Sequence, residues 1–259
     1  MTNNTTMGNI IFIHGMFQNP KSWDKWDAYF TEHGYNCLAP SWPLHAGDPA
    51  KLRSNPPANL GQLGLDEIVT EMESLIHDLG TKPIVIGHSV GGLITQILAN
   101  RGLIEAGVLI SSVAPNGMLD LDWSFFKNSV TIANPLKGDE PIYMDVNTFH
   151  SVFANTLAEE EAKEMYQKLA THDSRNVFRD CLTAKVDVSK PHVPLLFVSG
   201  SEDKIIPADL VRKNAEAYTD PDSITECKIF PNRSHFICGE TGWEEVAKHV
   251  CKSLKAHGL

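Results

Sequence analysis

The chain has 259 residues, a formal net charge of −10 and 42% hydrophobic residues. That length suits one large α/β domain with room for an insertion, able to bury a core without disulfides or metals. The acidic balance, with no basic run, argues against nucleic acid or an anionic membrane surface as partner.

Residues 1–9 are polar and read as a loose terminus. The apolar run 10–13 is too short for a signal peptide and lacks a basic flank, and no segment is long enough to span a bilayer. Residues 9–14, NIIFIH, read as a buried strand ending at His14-Gly15. Asn19-Pro20 then opens a helix, a cap residue followed by proline at the first position, with Trp23, Trp26 and Phe30 on one face. A second strand is predicted at residues 35–40, and residues 41–64 read as a long loop. Leu65–Leu79 is strongly amphipathic and stops at Gly80.

Ile84-Val85-Ile86 is a β-branched strand core, and Gly87-His88-Ser89-Val90-Gly91 follows at once as G-x-S-x-G. Leu93, Ile94, Ile97 and Leu98 recur at helical spacing behind it. Strand, sharp turn and helix with a serine at the apex make a nucleophile elbow, in which Gly87, Gly91 and Gly92 leave room for a strained turn. Ala106–Ile110 is the next strand. Residues 113–190 carry helical patterns, near 122–130, 146–157, 158–170 and 173–182, and no convincing strand pair, so they read as a helical insertion. Strand periodicity resumes at residues 194–199 and again at 224–230, with a helix near 208–218 between them. Thr241-Gly242-Trp243-Glu244 has capping-box spacing before a last helix. Strands alternating with helices imply a mostly parallel sheet covered on both faces: an α/β core of residues 1–112 and 191–259, with residues 113–190 as a lid.

A serine hydroxyl needs a base, an orienting carboxylate and an oxyanion site. Of the eleven histidines, His235 stands on a loop just after the last predicted strand. His14 is its rival, but that residue belongs to the first loop and is expected to orient it. The carboxylate should follow the preceding strand, in Gly200-Ser201-Glu202-Asp203-Lys204, where Asp203 is chosen over Glu202. Asp120 or Asp122 is the topological alternative. The order Ser89, Asp203, His235 is that of elbow hydrolases. The oxyanion donors are expected to be the amide of Val90 and one from His14-Gly15-Met16-Phe17, with Met16 first and Phe17 second.

Over nearly its full length the chain resembles the α/β-hydrolase superfamily, in HGMF at 14–17, GHSVGG at 87–92, GSEDKIIP at 200–207 and NRSHF at 232–236. Within it, the chain looks like the small lidded serine esterases and lactonases. The resemblance implies the α/β-hydrolase fold, here expected with the family's leading antiparallel strands absent or shortened and so with about six strands. It implies cleavage of carboxylic esters or lactones of small to medium apolar acyl groups through a Ser89 ester; a cytoplasmic location is the expectation from the scattered, unpaired cysteines. Carbon–carbon, thioester or cyanohydrin substrates, or a ligand receptor on the same fold, are the alternatives.

No cofactor motif and no metal-ligand spacing is present; His45 and Asp48 are too few to hold a metal. Phe17, Trp42, Trp123, Phe126 and Phe153 are the candidate substrate-binding residues, each alternatively a packing residue. Phe125 and Phe149 belong to the same apolar set. Arg53, in the long loop, reads as solvated surface or a partner for a substrate carboxylate. The five cysteines, Cys37, Cys181, Cys227, Cys238 and Cys251, form no C-x-x-C pair and read as reduced thiols.

Overall fold

A computed structural model describes residues 7–118 and 137–259. Six strands form one sheet: β1 (Asn9–Ile13), β2 (Asn36–Leu38), β3 (Ile84–His88), β4 (Ala106–Ile110), β5 (Leu195–Gly200) and β6 (Thr225–Phe230). Every pairing is parallel, in the order β2-β1-β3-β4-β5-β6. The inner strands are mostly apolar and almost wholly buried because both faces are covered. Ile11, Ile13, Val85, Leu109, Leu195 and Phe197 join the core on one face. Their alternates Ile10, Phe12, Ile84, Ile86, Val108, Leu196 and Val198 join the core on the other.

Helices α1 (Asp24–Glu32) and α8 (Trp243–Ala256) close the second face with Trp26, Phe30, Val246, Val250 and Leu254, and Trp23 packs there from a preceding 3-10 turn. Trp26 donates its indole N–H to the Cys238 carbonyl at 2.8 Å, so its ring is buried without an orphaned donor. The first face is covered by α3 (Leu65–Leu79), α4 (Val90–Asn100) and α7 (Ala208–Glu216).

The chain leaves β1 toward β2 on one side, while β3 lies on the other side of β1. The order of connection therefore reverses between β1 and β3, and the crevice beyond their carboxyl ends is where open α/β sheets bind ligands. The loop His14–Phe17 leaves β1 there, and Ser89 leaves β3 there.

The expected elements hold, with four corrections. The long loop contains a helix, α2 (Pro49–Ser54), capped by Asp48, which accepts the Lys51 N–H at 3.2 Å. The capping box before α8 does not form: Gly242 takes the cap with φ 84°, and Thr241 Oγ1 donates instead to Glu161 at 3.0 Å. Arg53 is neither solvated surface nor aimed at a ligand. Its guanidinium caps the end of α5 (Glu159–Leu169) through the carbonyls of Tyr166, Gln167 and Ala170. The predicted helix at 146–157 is broken into a turn at Val146–Thr148 and a π-helical turn at Phe149–Phe153. Its run of Val, Asn, Thr, His and Ser favours helix weakly, and the turn stacks Phe149 on Phe153 with centroids 5.0 Å apart.

The rest of the described chain between β4 and β5 holds α5, α6 (Arg175–Thr183) and one antiparallel bridge, Ile142 to Asp173. Phe149, Phe153, Val177 and Phe178 join the same apolar core as α3 and α4. Trp123, Phe125, Phe126, Asp120, Asp122 and the predicted helix at 122–130 lie outside the described residues. Among the described residues, no helix is long and apolar enough to cross a membrane. Cys181, Cys238 and Cys251 are buried, Cys37 half-buried and Cys227 exposed, all as free thiols.

Candidate active site

β3 ends at His88, α4 begins at Val90, and Ser89 between them has φ 55° and ψ −116°. A non-glycine residue at positive φ costs on the order of 1–3 kcal/mol, and persists only where its surroundings hold it. Here the Ser89 N–H donates to the Ile110 carbonyl at 2.9 Å, and the Ser89 carbonyl accepts the Val113 N–H at 3.1 Å. The end of β4 and the segment that follows it thus hold the serine through both its N–H and its carbonyl.

The turn also requires close backbone approach. A Cβ at Gly91 would stand 2.2 Å from the Ile13 carbonyl oxygen, and one at Gly87 would stand 2.1 Å from the Gly91 carbonyl oxygen. Gly91→Ala is expected to push α4 off β1 and to destabilise the fold by about 1–3 kcal/mol, as overpacking does. A urea midpoint unchanged from the parent would contradict that close contact.

His235 and Asp203 are brought together. His235 Nδ1 lies 2.8 Å from Asp203 Oδ2, with both side chains buried. The other oxygen, Oδ1, accepts the amides of Ile205 at 2.8 Å and Ile206 at 2.7 Å. One carboxylate therefore closes the turn after β5 and orients the imidazole across it. Ser89 Oγ and His235 Nε2 make no hydrogen bond to any described residue. Such contacts in unliganded hydrolases often tighten only when substrate arrives.

Sequence reasoning passed over His88 as the variable position of the elbow. It is fully buried, with Nε2 2.8 Å from the His235 carbonyl and Nδ1 3.0 Å from the Gln18 side-chain amide. Burial, then the neighbouring His235, holds its pKa well below the ordinary value. The atom placed 3.0 Å from Nδ1 is Gln18 Oε1; a neutral ring that donates from Nε2 to a carbonyl must accept at Nδ1, which requires the Gln18 amide turned over so that its NH2 donates there. The elbow is thereby tied directly to the backbone of His235. The cue in the sequence was a polar ring inside an otherwise apolar strand end.

Glu240 supports the same loop from below. Its buried carboxylate accepts the Ser234 Oγ–H at 2.7 Å and the Ser234 N–H at 3.2 Å, and also takes the Thr156 hydroxyl. Phe236 donates its N–H to the Phe153 carbonyl at 2.9 Å.

The loop after β1 packs against Ser89: a Cβ at Gly15 would lie 2.8 Å from Ser89 Cβ. His14 is buried and stacks on Trp42 at 4.4 Å. Burial, then the nearby His45, lowers its pKa to about 3, so the ring stays neutral. Nδ1 lies 2.9 Å from the Gly15 carbonyl and Nε2 accepts the Trp42 N–H at 3.3 Å. Both nitrogens are committed to loop structure. The Phe17 amide is committed too, donating to Asp173 Oδ2 at 2.9 Å. The amides of Met16 and Val90 donate to no described residue.

Of the expected substrate-binding residues, Phe17, Trp42 and Phe153 are all buried, and the Phe153 ring stands edge-on to His235 at 5.0 Å. Among the described residues, no group of three or more His, Cys, Asp or Glu side chains is placed to hold a metal ion.

A sequence profile of an alpha/beta hydrolase family matches residues 10–249. Comparison with curated protein sequences gives no match. Among solved structures, the chain is similar to a monoacylglycerol lipase of Paleococcus ferrophilus, with 20% identity and a TM-score of 0.69 over 96% of this chain and 95% of that one. It is similar to an extracellular alpha/beta-hydrolase of a Paenibacillus species, described as sharing structural and functional homology with tobacco salicylic acid binding protein 2. There the identity is 18% and the TM-score 0.73, over 94% of this chain and 98% of that one. A thermophilic esterase of Thermogutta terrifontis is similar at 14% identity and a TM-score of 0.72, over 98% of this chain and 92% of that one.

Proposed function

This chain belongs to the alpha/beta hydrolase family, and from that premise we propose that it is a serine hydrolase cleaving carboxylic esters or lactones of small to medium apolar acyl groups. The observation that carries the reading is the buried His235–Asp203 contact at 2.8 Å, its histidine backbone tied through His88 to the turn that holds Ser89 at positive φ. Ser89 Oγ attacks the acyl carbon and its proton passes to His235 Nε2. Asp203 holds the reactive tautomer and stabilises the imidazolium. The tetrahedral oxyanion takes hydrogen bonds from the amides of Met16 and Val90, the latter at the positive end of α4. Collapse expels the alkoxide oxygen, which takes the proton back from His235. A water, deprotonated by His235, then cleaves the Ser89 ester by the same route in reverse.

Residues 113–190 serve in this reading as a lid that shapes the acyl pocket, and residues 1–112 with 191–259 form the catalytic core. The protein acts in the cytoplasm on a small molecule. Phe153 supports the lid's role, because its ring meets His235 while its carbonyl holds the loop behind it. Phe153→Ala is expected to shift chain-length preference by about 1–3 kcal/mol between longer and shorter esters, leaving acetate esters nearly unaffected. Uniform loss over all chain lengths in a folded variant would make Phe153 a packing residue only.

Screening p-nitrophenyl esters of graded length against lactones and thioesters tests the substrate class. Turnover of esters or lactones supports it, whereas turnover confined to thioesters contradicts it. A stable adduct without turnover would point to a ligand receptor on this fold.

A further inference from the structure

We propose that Asp173, contributed by the inserted segment, is the positioning residue that sets the oxyanion hole. Its carboxylate withdraws the Phe17 amide and leaves Met16 as the loop's donor. The inference rests on the reading of Met16 and Val90 as the oxyanion donors.

Two adjacent amides, Met16 and Phe17, are the loop's candidate donors. Asp173 is fully buried, 156 positions away in sequence, and Oδ2 accepts the Phe17 N–H at 2.9 Å. That bond fixes the plane of the Met16–Phe17 peptide. The next peptide is fixed from the same segment, because the Thr171 N–H donates to the Phe17 carbonyl at 2.9 Å. Thr171 Oγ1 donates to the Gln18 carbonyl at 3.1 Å. Held this way, Phe17 keeps φ 62°, a conformation that a free non-glycine residue rarely adopts.

The preceding peptide is fixed from the opposite side. His14 Nδ1 meets the Gly15 carbonyl at 2.9 Å. In a trans peptide the N–H points away from the C=O, so the Met16 N–H is turned away from His14. The clamp therefore leaves one loop amide free and one occupied, as the proposed mechanism needs.

Asp173 is itself immobilised. Oδ1 accepts the Ser174 N–H at 2.7 Å, and its backbone pairs with Ile142 in both directions, at 2.7 and 3.1 Å. A lone carboxylate this close would oppose a developing oxyanion. His45 offsets that: its Nε2 lies 3.4 Å from Oδ2, both side chains fully buried. The angle does not make a hydrogen bond, so the contact is an electrostatic one. Burial alone would lower the His45 pKa, yet the Asp173 carboxylate and the Pro43 and His172 carbonyls raise it.

The test compares the parent with Asp173→Ala and the more conservative Asp173→Asn, which keeps the volume but has one oxygen for two amide donors. Readouts are steady-state kinetics on p-nitrophenyl acetate and inhibition by an aryl trifluoromethyl ketone, whose adduct with a serine carries the same oxyanion. Losing an oxyanion donor outright costs about 100- to 1,000-fold, so displacing one by Asp173→Ala is expected to lower kcat about 10- to 100-fold. Asp173→Asn is expected to lower it about 10-fold. In both variants KM stays within about twofold, as for an interaction made only in the transition state, and the ketone Ki rises by the factor that kcat falls. If Asp173→Ala does not fold, Asp173→Asn carries the test alone. A folded Asn variant with parental kcat and ketone Ki overturns the proposal, as does one whose loss is confined to KM or thermal stability. A parent enzyme that the ketone does not inhibit, and that no fluorophosphonate labels, removes the serine-hydrolase reading itself and this proposal with it.

Discussion

Ser89→Ala is expected to lower ester turnover about 10⁶-fold, the scale on which serine hydrolases lose rate when the nucleophile goes. The fold is expected to survive. Ser89 is held by its backbone, through Ile110 and Val113, and its hydroxyl makes no hydrogen bond to a described residue. Alanine also accepts the same turn no worse than serine, since both carry a Cβ at φ 55°. The thermal midpoint should therefore stay close to the parent's while turnover disappears. Full activity in Ser89→Ala would contradict the assignment.

Asp203→Asn is the second large effect. The reason lies in how its two oxygens are spent. Oδ1 is held by the Ile205 and Ile206 amides, at 2.8 and 2.7 Å. An asparagine must keep its carbonyl oxygen there, since an NH2 cannot accept two N–H groups. That turns its NH2 toward His235 Nδ1, which must then accept, leaving the ring proton on Nε2. In this tautomer Nε2 cannot take the serine proton. A loss of about 10⁴ in kcat is expected, with little change in KM. If Asp203→Asn is silent and Asp120→Asn or Asp122→Asn is damaging, the acid stands after β4 instead.

Most of the sheet was legible because β-branched runs buried on both faces leave little ambiguity. Ile84-Val85-Ile86 and Ala106–Ile110 emerge as strands. The elbow was legible for a related reason, since the glycines around Ser89 sit where a Cβ would collide. The proximity of Asp203 to His235 followed from placing each after a successive strand. Helix α2 was misread although Asp48-Pro49 carries the cap-and-proline pattern that revealed the helix start at Asn19-Pro20. Its brevity, Pro49–Ser54, leaves almost no apolar period to detect. The capping box before α8 failed because Glu161, distant in sequence, takes the Thr241 hydroxyl.

His88 and Asp173 were missed for a deeper reason. Their contacts are with His235 and Phe17, 147 and 156 positions away in sequence. Local pattern shows that a residue is polar, but it does not show which buried amide or carbonyl it will meet. The preference for Met16 over Phe17 was reached from loop position alone. The structure adds a physical ground for it, because the Phe17 amide is occupied.

The most direct test of the central claim is covalent labelling of the native protein with a fluorophosphonate, followed by peptide mass spectrometry. A phosphonyl group on Ser89, formed in the parent and lost in His235→Ala as well as in Ser89→Ala, is the result expected if Ser89 is a nucleophile activated by His235. A parent protein that remains unlabelled, or a label on any other serine, would contradict it.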